Sequence, residues 1–209
     1  KMIAQFNCTG DWAFYIEGDE VYHENDLEQI RESMETHLND SNVEALVFDF
    51  KHFYGNSNSV LSSPGWYRSE ARIIKNSVRS YAPDGLFWVV LDSNKKGRYP
   101  RAKHTEASCF HYGWVRSEKE MNLKTSKVQK YWGYNPVKVD YTQIDQSIIK
   151  KFKGTHPKVM KEWLNNDQGL YQADSKYMLT KKQKKYRMMI KIENFFGLDL
   201  SKKHYKLVK

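Results

Sequence analysis

Cysteine is scarce in this chain. Of 209 residues only Cys8 and Cys109 carry a thiol. Two are too few for a disulfide framework or a four-cysteine zinc site, and a reducing, cytoplasmic setting is expected. Long apolar runs are missing as well. No stretch of about eighteen apolar residues occurs, so no membrane-spanning helix is expected, and no secretory leader either. Proline is sparse, five in all, which excludes a proline-rich linker, and no repeat or low-complexity tract interrupts the chain. Acidic residues nearly vanish at the C-terminal end. From Lys181 to Lys209, ten Lys and Arg are balanced only by Glu193 and Asp199. Nearly all of the formal charge of +9 therefore sits there. The near-neutral remainder lacks the character of a nucleic-acid-binding body.

What the chain has in quantity is apolar and aromatic surface. Hydrophobic residues make up 40% and aromatics 14%, enough for a core in one large domain or a domain with an appendage. The stretch around which the rest is organised is Trp12-Ala13-Phe14-Tyr15-Ile16-Glu17-Gly18-Asp19-Glu20. Its apolar half predicts a buried central strand. Gly18 allows a turn, and Glu17, Asp19 and Glu20 emerge together where the strand ends. In open α/β sheets ligands bind at the carboxyl ends of strands. Three carboxylates so close repel one another, which a cation among them would relieve. The plainer reading is an acidic turn after a strand.

Residues 1–8 read as the last turns of a helix stopped by Gly10, and an amino-terminal portion is expected to precede them. Asn25 or Asp26 is expected to cap a helix reaching residue 39, with Ile30, Met34 and Leu38 on its apolar side. Residues 43–50 predict a strand that runs on to an edge at 51–55. Residues 56–65 predict a Ser- and Asn-rich loop. Residues 66–74 predict a strand with Trp66, Arg68, Glu70 and Arg72 on one side. Further strands are expected at 86–91 and 107–115, and a helix at 117–132 ended by Gly133 and Pro136. From Asp140 the pattern changes to short helices. One begins at Thr155-His156-Pro157 and presents Val159, Met160, Trp163 and Leu164 as an apolar face. The last, 181–196, is capped by Thr180 and closed by Gly197. Met188, Met189, Ile192, Phe195 and Phe196 form its apolar stripe, expected to pack on the body and leave the lysines in water. The alternative is peripheral contact with an anionic membrane surface.

Several segments, taken in order, resemble bacterial family 2-type glycosyltransferases with the GT-A fold. They include Cys8-Thr9-Gly10-Asp11-Trp12, Tyr15-Ile16-Glu17-Gly18-Asp19-Glu20-Val21 and His23-Glu24-Asn25-Asp26-Leu27. Further on come Phe48-Asp49-Phe50-Lys51-His52-Phe53-Tyr54-Gly55, Trp66-Tyr67-Arg68-Ser69-Glu70-Ala71-Arg72 and His111-Tyr112-Gly113-Trp114-Val115-Arg116. Gly154-Thr155-His156-Pro157 and Leu200-Ser201-Lys202-Lys203-His204-Tyr205 complete the set. The likeness covers most of the chain. It implies an α/β fold whose Rossmann-like mixed sheet is flanked by helices in residues 1–135, incomplete at the amino-terminal, nucleotide-gripping end. Residues 136–209 would be a basic helical extension. The implied activity is transfer of a sugar from a nucleotide-sugar donor to a glycan or lipid-linked saccharide, with inversion, in the cytoplasm or at the inner face of the membrane.

In such enzymes an acid-x-acid turn holds Mn²⁺ or Mg²⁺ on the donor diphosphate. By that resemblance Asp19 is the metal ligand and Glu17 stands in the first acidic position, where Glu in place of Asp is a departure. His111 is the further metal ligand. The acceptor hydroxyl must lose a proton as it attacks, and Glu70, with Asp49 as the alternative, is the candidate base. Arg72 or Arg116 would pair with phosphate oxygens. His52, Trp66, Tyr67 and Trp114 are the positions for contact with sugar. Each has a plainer reading as an ion pair, a core histidine or a core aromatic. Two other classes compete. A non-catalytic glycan- or nucleic-acid-binding module would use the basic tail and the aromatics, although an acidic turn repels phosphate. A metal-dependent phosphohydrolase calls for more clustered His and Asp ligands than the sequence offers.

Overall fold

The computed structural model describes residues 2–83, 86–132, 138–164 and 169–208. In chain order come α1 (Met2–Phe6), β1 (Trp12–Phe14), β2 (Glu20–Tyr22), α2 (Leu27–His37), β3 (Ala45–Tyr54) and β4 (Asn56–Leu61). Next are β5 (Ser69–Lys75), β6 (Ser80–Tyr81), β7 (Val89–Leu91), β8 (Gly97–Arg98) and β9 (Arg101–Trp114). The last are α3 (Glu118–Trp132), β10 (Ile149–Lys151), α4 (Lys181–Phe196) and β11 (Lys206–Leu207). The expected helix stop at Gly133 and Pro136 lies outside the described residues.

The chain is α/β, with a mixed sheet flanked by helices. β1 pairs with β5, β5 with β3, β3 with β4 and β4 with β10, all antiparallel. β9 is bonded to β2, β3 and β11, the last in parallel. β6, β7 and β8 form a small antiparallel sheet of their own. Two compact units emerge. One comprises Lys1–Phe50, Tyr67–Cys109 and Lys202–Lys209, the other Lys51–Trp66 and Phe110–Ser201. The expected single cut near residue 135 rests on the family resemblance. The observed units follow strand pairing, which brings the last residues of the chain back to β9.

In the first unit β3 shows why an unbroken apolar run occurs. Successive side chains of a strand point to opposite faces. Ala45 and Val47 fill one apolar cluster with Ile74 and Trp88, while Leu46 and Phe48 fill a second with Ile73 and Cys109. A strand covered on both faces cannot alternate. The same reason overturns the two-sided pattern expected for residues 66–74, since every residue of β5 is buried and the strand begins only at Ser69. The expected central strand at 12–16 is also corrected. β1 ends at Phe14, closes one end of the strand path, and leaves Phe14 and Ile16 exposed. The entry to α2 differs as well: the His23 ring accepts from Asn25 N, and Asp26 makes no capping bond.

In the second unit the expected loop at 56–65 opens with a strand. β4 sits between β3 and β10, and Ser57, Ser59 and Leu61 point inward. Serine and asparagine are poor strand formers, and here ladder partners on both sides override that preference. The core is made by Tyr54, Leu61, Met121, Tyr141, Ile144, Ile148 and Ile149. The short helices expected after Asp140 are two single 3₁₀ turns, Gln146–Ile148 and Lys158–Met160, with β10 between them. Val159 and Trp163 are exposed, so the apolar face expected there is not buried.

α4 has the expected bounds. Thr180 and Gln183 form a reciprocal capping box, and Gly197 takes a left-handed conformation at φ 65° that closes the helix. Its orientation is not the expected one. Ile190 packs on the core, Arg187 is bonded twice to Asp145, and Glu193 is buried and accepts from Leu200 N. Met188, Ile192, Phe195 and Phe196 face outward.

Candidate functional site

The acidic turn lies in the first unit, between β1 and β2. Its three carboxylates are in three different states. Glu20 is buried and takes Arg72 in a forked pair, with Nη2 2.7 Å from Oε1 and Nε 3.0 Å from Oε2. Both side chains are about 1% exposed. Arg72 also donates to the Leu86 carbonyl and lies 4.7 Å from the centre of the Phe50 ring. Burial works against its charge, and the bonds and charge of Glu20 outweigh burial, so the guanidinium is held above its ordinary range. Glu20 further accepts from Glu17 N, and Glu20 N donates back to the Glu17 carbonyl. The turn is thus tied down through its last residue. Glu17 and Asp19 stay partly exposed. The Tyr15 hydroxyl is bonded to Glu17, and burial first, then the Glu17 charge, push that hydroxyl's pKa up.

This arrangement corrects two expectations. Arg72 neutralises Glu20, so only Glu17 and Asp19 of the three carboxylates are left partly exposed. Arg72 is occupied inside the fold, out of reach of a phosphate. The pairing spans 52 residues, so neither fact is visible in a local motif.

Glu70 is also enclosed. Its exposure is 0%, Oε1 accepts from Ala71 N, and Oε2 lies 2.5 Å from His204 Nδ1. Phe87 stacks on the His204 ring at 4.3 Å, with Tyr99 edge-on to it. Beside it Ser69 Oγ and the Tyr205 hydroxyl are 2.5 Å apart. These contacts and the β11–β9 pairing dock the C-terminal segment. A carboxyl so enclosed reaches no acceptor, which argues for a structural role. Glu70→Ala is expected to lose about 1–3 kcal/mol in urea unfolding, because His204 loses its buried partner. Glu70→Gln can keep both bonds and should hold activity within a few-fold. A general base replaced in that way loses about 10²- to 10⁴-fold.

Asp49, the alternative base, is exposed on β3 and accepts at Oδ1 from His104 Nε2 at 3.1 Å. The bond to Asp49, against burial, raises the His104 pKa above its ordinary 6.5. The stabilisation is therefore complete below 6.5 and is lost as pH rises through the folded-state value. Relative to His104→Asn, the wild-type protein should be more stable near pH 5.5 than near pH 8, by less than about 1 kcal/mol for a pair this open to solvent. Urea midpoints at the two pH values measure it.

The remaining expected residues fall in the second unit, except Tyr67, which belongs to the first and packs edge-on to Phe50. His52 and His111 are brought together with Nδ1 atoms 2.9 Å apart, so one ring donates and the other accepts. Trp66 lies 5.3 Å from His52 and 5.7 Å from Trp114. His52 is buried and Trp66 and Trp114 are half-buried, members of an aromatic cluster. Among the described residues no group of three or more His, Cys, Asp and Glu is gathered around one point.

A cleft of about 420 Å³ opens in the same unit. That size suits a small-molecule site. It is lined by Gly55, Ser57, Val115, Arg116, Ser117, Glu120 and Trp163. Gly55 has φ 71°, and the Tyr171 ring packs so close that a Cβ would stand 2.3 Å from it, so this position admits only glycine. Ser117 opens α3: its hydroxyl and N–H donate to Glu120 Oε2, which lowers the Glu120 pKa. The Arg116 charge adds to that lowering, and its side chain is exposed. Trp163 is 46% exposed.

Comparison with known proteins brings no relative. No family model matches the chain, and no curated protein and no solved structure matches it.

The cleft was largely missed from sequence. Arg116 alone was a candidate. Trp163 reads as a core aromatic, and Glu120 as one charge among many on a helix. The usable signal was Ser117-Glu118-Lys119-Glu120, a capping box that fixes where α3 begins and hence which side chains stand at its mouth.

Proposed function

We propose that the protein is a divalent-metal-dependent glycosyltransferase of the GT-A type, moving a sugar from a nucleotide-sugar donor to a saccharide or lipid-linked acceptor. The observation that carries this reading is the tethered acidic turn: Glu20 is fastened to Arg72, while Glu17 and Asp19 just before it stay partly exposed. Carboxylate oxygens suit Mg²⁺ or Mn²⁺, and such ions are commonly held by one or two carboxylates with substrate phosphates completing the shell. Two acids are therefore enough. When bound, the cation would neutralise charge building on the departing diphosphate. With Glu70 enclosed, Asp49 is the carboxylate left to accept the acceptor's proton, and His104 holds its other oxygen.

The cleft of the second unit supports a saccharide ligand. One Arg and one Glu balance in charge, which suits a neutral molecule. Arg116 offers donors, Glu120 acceptors, and the serines both. The exposed Trp163 offers an apolar face beside them. The same cleft favours a second reading, a glycan-binding module without catalysis. Incubating the protein with a panel of nucleotide sugars and Mn²⁺, with a chelator control, decides between the two. Metal-dependent release of nucleoside diphosphate is expected; glycan binding without any release would favour the second.

A further inference from the structure

α4 is held by one side only. Tyr186 lies against Gly65, Arg187 grips Asp145, Ile190 enters the core and Glu193 turns inward. The opposite side carries a row at three- and four-residue spacing, which on a helix is a single ridge. Its first half is Lys181, Lys184 and Lys185, all exposed. Its second half is Met188, Ile192 and Phe195, with Phe196 beside them. Phe195 is 82% exposed, and Met188 and Phe196 are each 64% exposed. The two Phe rings pack edge to face at 4.8 Å and stand out together. Charge and apolar surface are thus separated along the helix axis.

Scattered exposed apolar residues need no explanation, but a contiguous group with two aromatic rings does. We propose that this ridge docks the protein on an anionic membrane surface, with the Phe end in the interface and the Lys end among acidic headgroups. The helix carries six Lys and Arg and a single acid, Glu193, which is buried. Such a field favours a surface of negative lipids, and exposed apolar and aromatic side chains beside it can seat at the boundary between headgroups and acyl chains. Pairing with a second copy is disfavoured by the same charges. Parallel ridges would set lysines against lysines, and antiparallel ridges would bury lysines against phenylalanines. Among the described residues no helix is long and apolar enough to cross a membrane; the contact proposed for this ridge is with the membrane surface. The docking face stands whether or not the protein transfers a sugar.

Flotation of the full chain with two vesicle types tests it. One contains equal parts phosphatidylcholine and phosphatidylglycerol, the other phosphatidylcholine alone. Binding to the first and not the second is expected, weakening as salt rises. Phe195→Ser with Phe196→Ser, and separately Lys181→Glu with Lys184→Glu and Lys185→Glu, should each cut binding by about tenfold or more. Their thermal melts should match wild type, since all five side chains are exposed. Equal binding to both vesicles, or unchanged binding by the Phe variant, would overturn the proposal. So would concentration-dependent dimerisation that the Phe variant abolishes, in a protein that fails to float.

Discussion

Asp19→Asn is expected to abolish metal-dependent release of nucleoside diphosphate and to leave the fold intact. The replacement keeps size and shape and removes one charge at a partly exposed position, where surface substitutions usually change stability by less than about 0.5 kcal/mol. A metal acting on a leaving diphosphate is worth several kcal/mol, and each 1.4 kcal/mol or so is tenfold in rate. A loss of about 10²- to 10³-fold follows, measured at saturating Mn²⁺ with the urea midpoint as control. Glu17→Gln should cost less, because Glu17 has a longer arm and is already engaged by Tyr15. Unchanged metal dependence in Asp19→Asn would remove that residue from its role.

Replacing Glu20 is expected to have the opposite signature: loss of stability before any question of chemistry. Arg72 is among the largest fully buried side chains of the chain. Glu20→Gln strips its counter-charge, and breaking a buried pair from one side costs about 3–5 kcal/mol. That is a large part of the roughly 5–15 kcal/mol that holds a domain folded. Arg72→Met should cost a similar amount by stranding Glu20. Replacing both partners by apolar residues of similar volume, Glu20→Leu with Arg72→Met, should be less destabilising than either single change. Urea unfolding of the three variants measures this, and a double variant worse than both singles would contradict it. If the pair tethers the turn, the refolded double variant should still lose turnover, because Glu17 and Asp19 would no longer be held in place. The two are positioning residues in this account.

The contrast between Asp19 and Glu20 shows where sequence reasoning stops. Adjacent acids in one motif look alike. One carboxylate reaches solvent and the other is neutralised by Arg72, 52 positions away. Glu70 and His204 repeat the lesson over 134 positions. A flanking pair of arginines suggests a surface ion pair for Glu70, whereas the partner is a histidine from the chain's far end. His52 and His111 were each singled out, but their contact depends on β3 and β9 running alongside each other.

The sequence by itself determined what is decided within a few residues. The capping box at Thr180 and the glycine at Gly197 set the ends of α4, since capping bonds are local. The apolar run at 43–50 announced a buried strand, found at Ala45–Tyr54, whereas the strand before the acidic turn is shorter than expected and closes the path instead of lying at its centre. Tertiary structure alone decided which carboxylates are silenced, which strands are covered on both faces, and which side of α4 turns to water. Those outcomes depend on partners brought together by folding. Spacing along a helix says which side chains share a face, and only packing says whether that face looks inward.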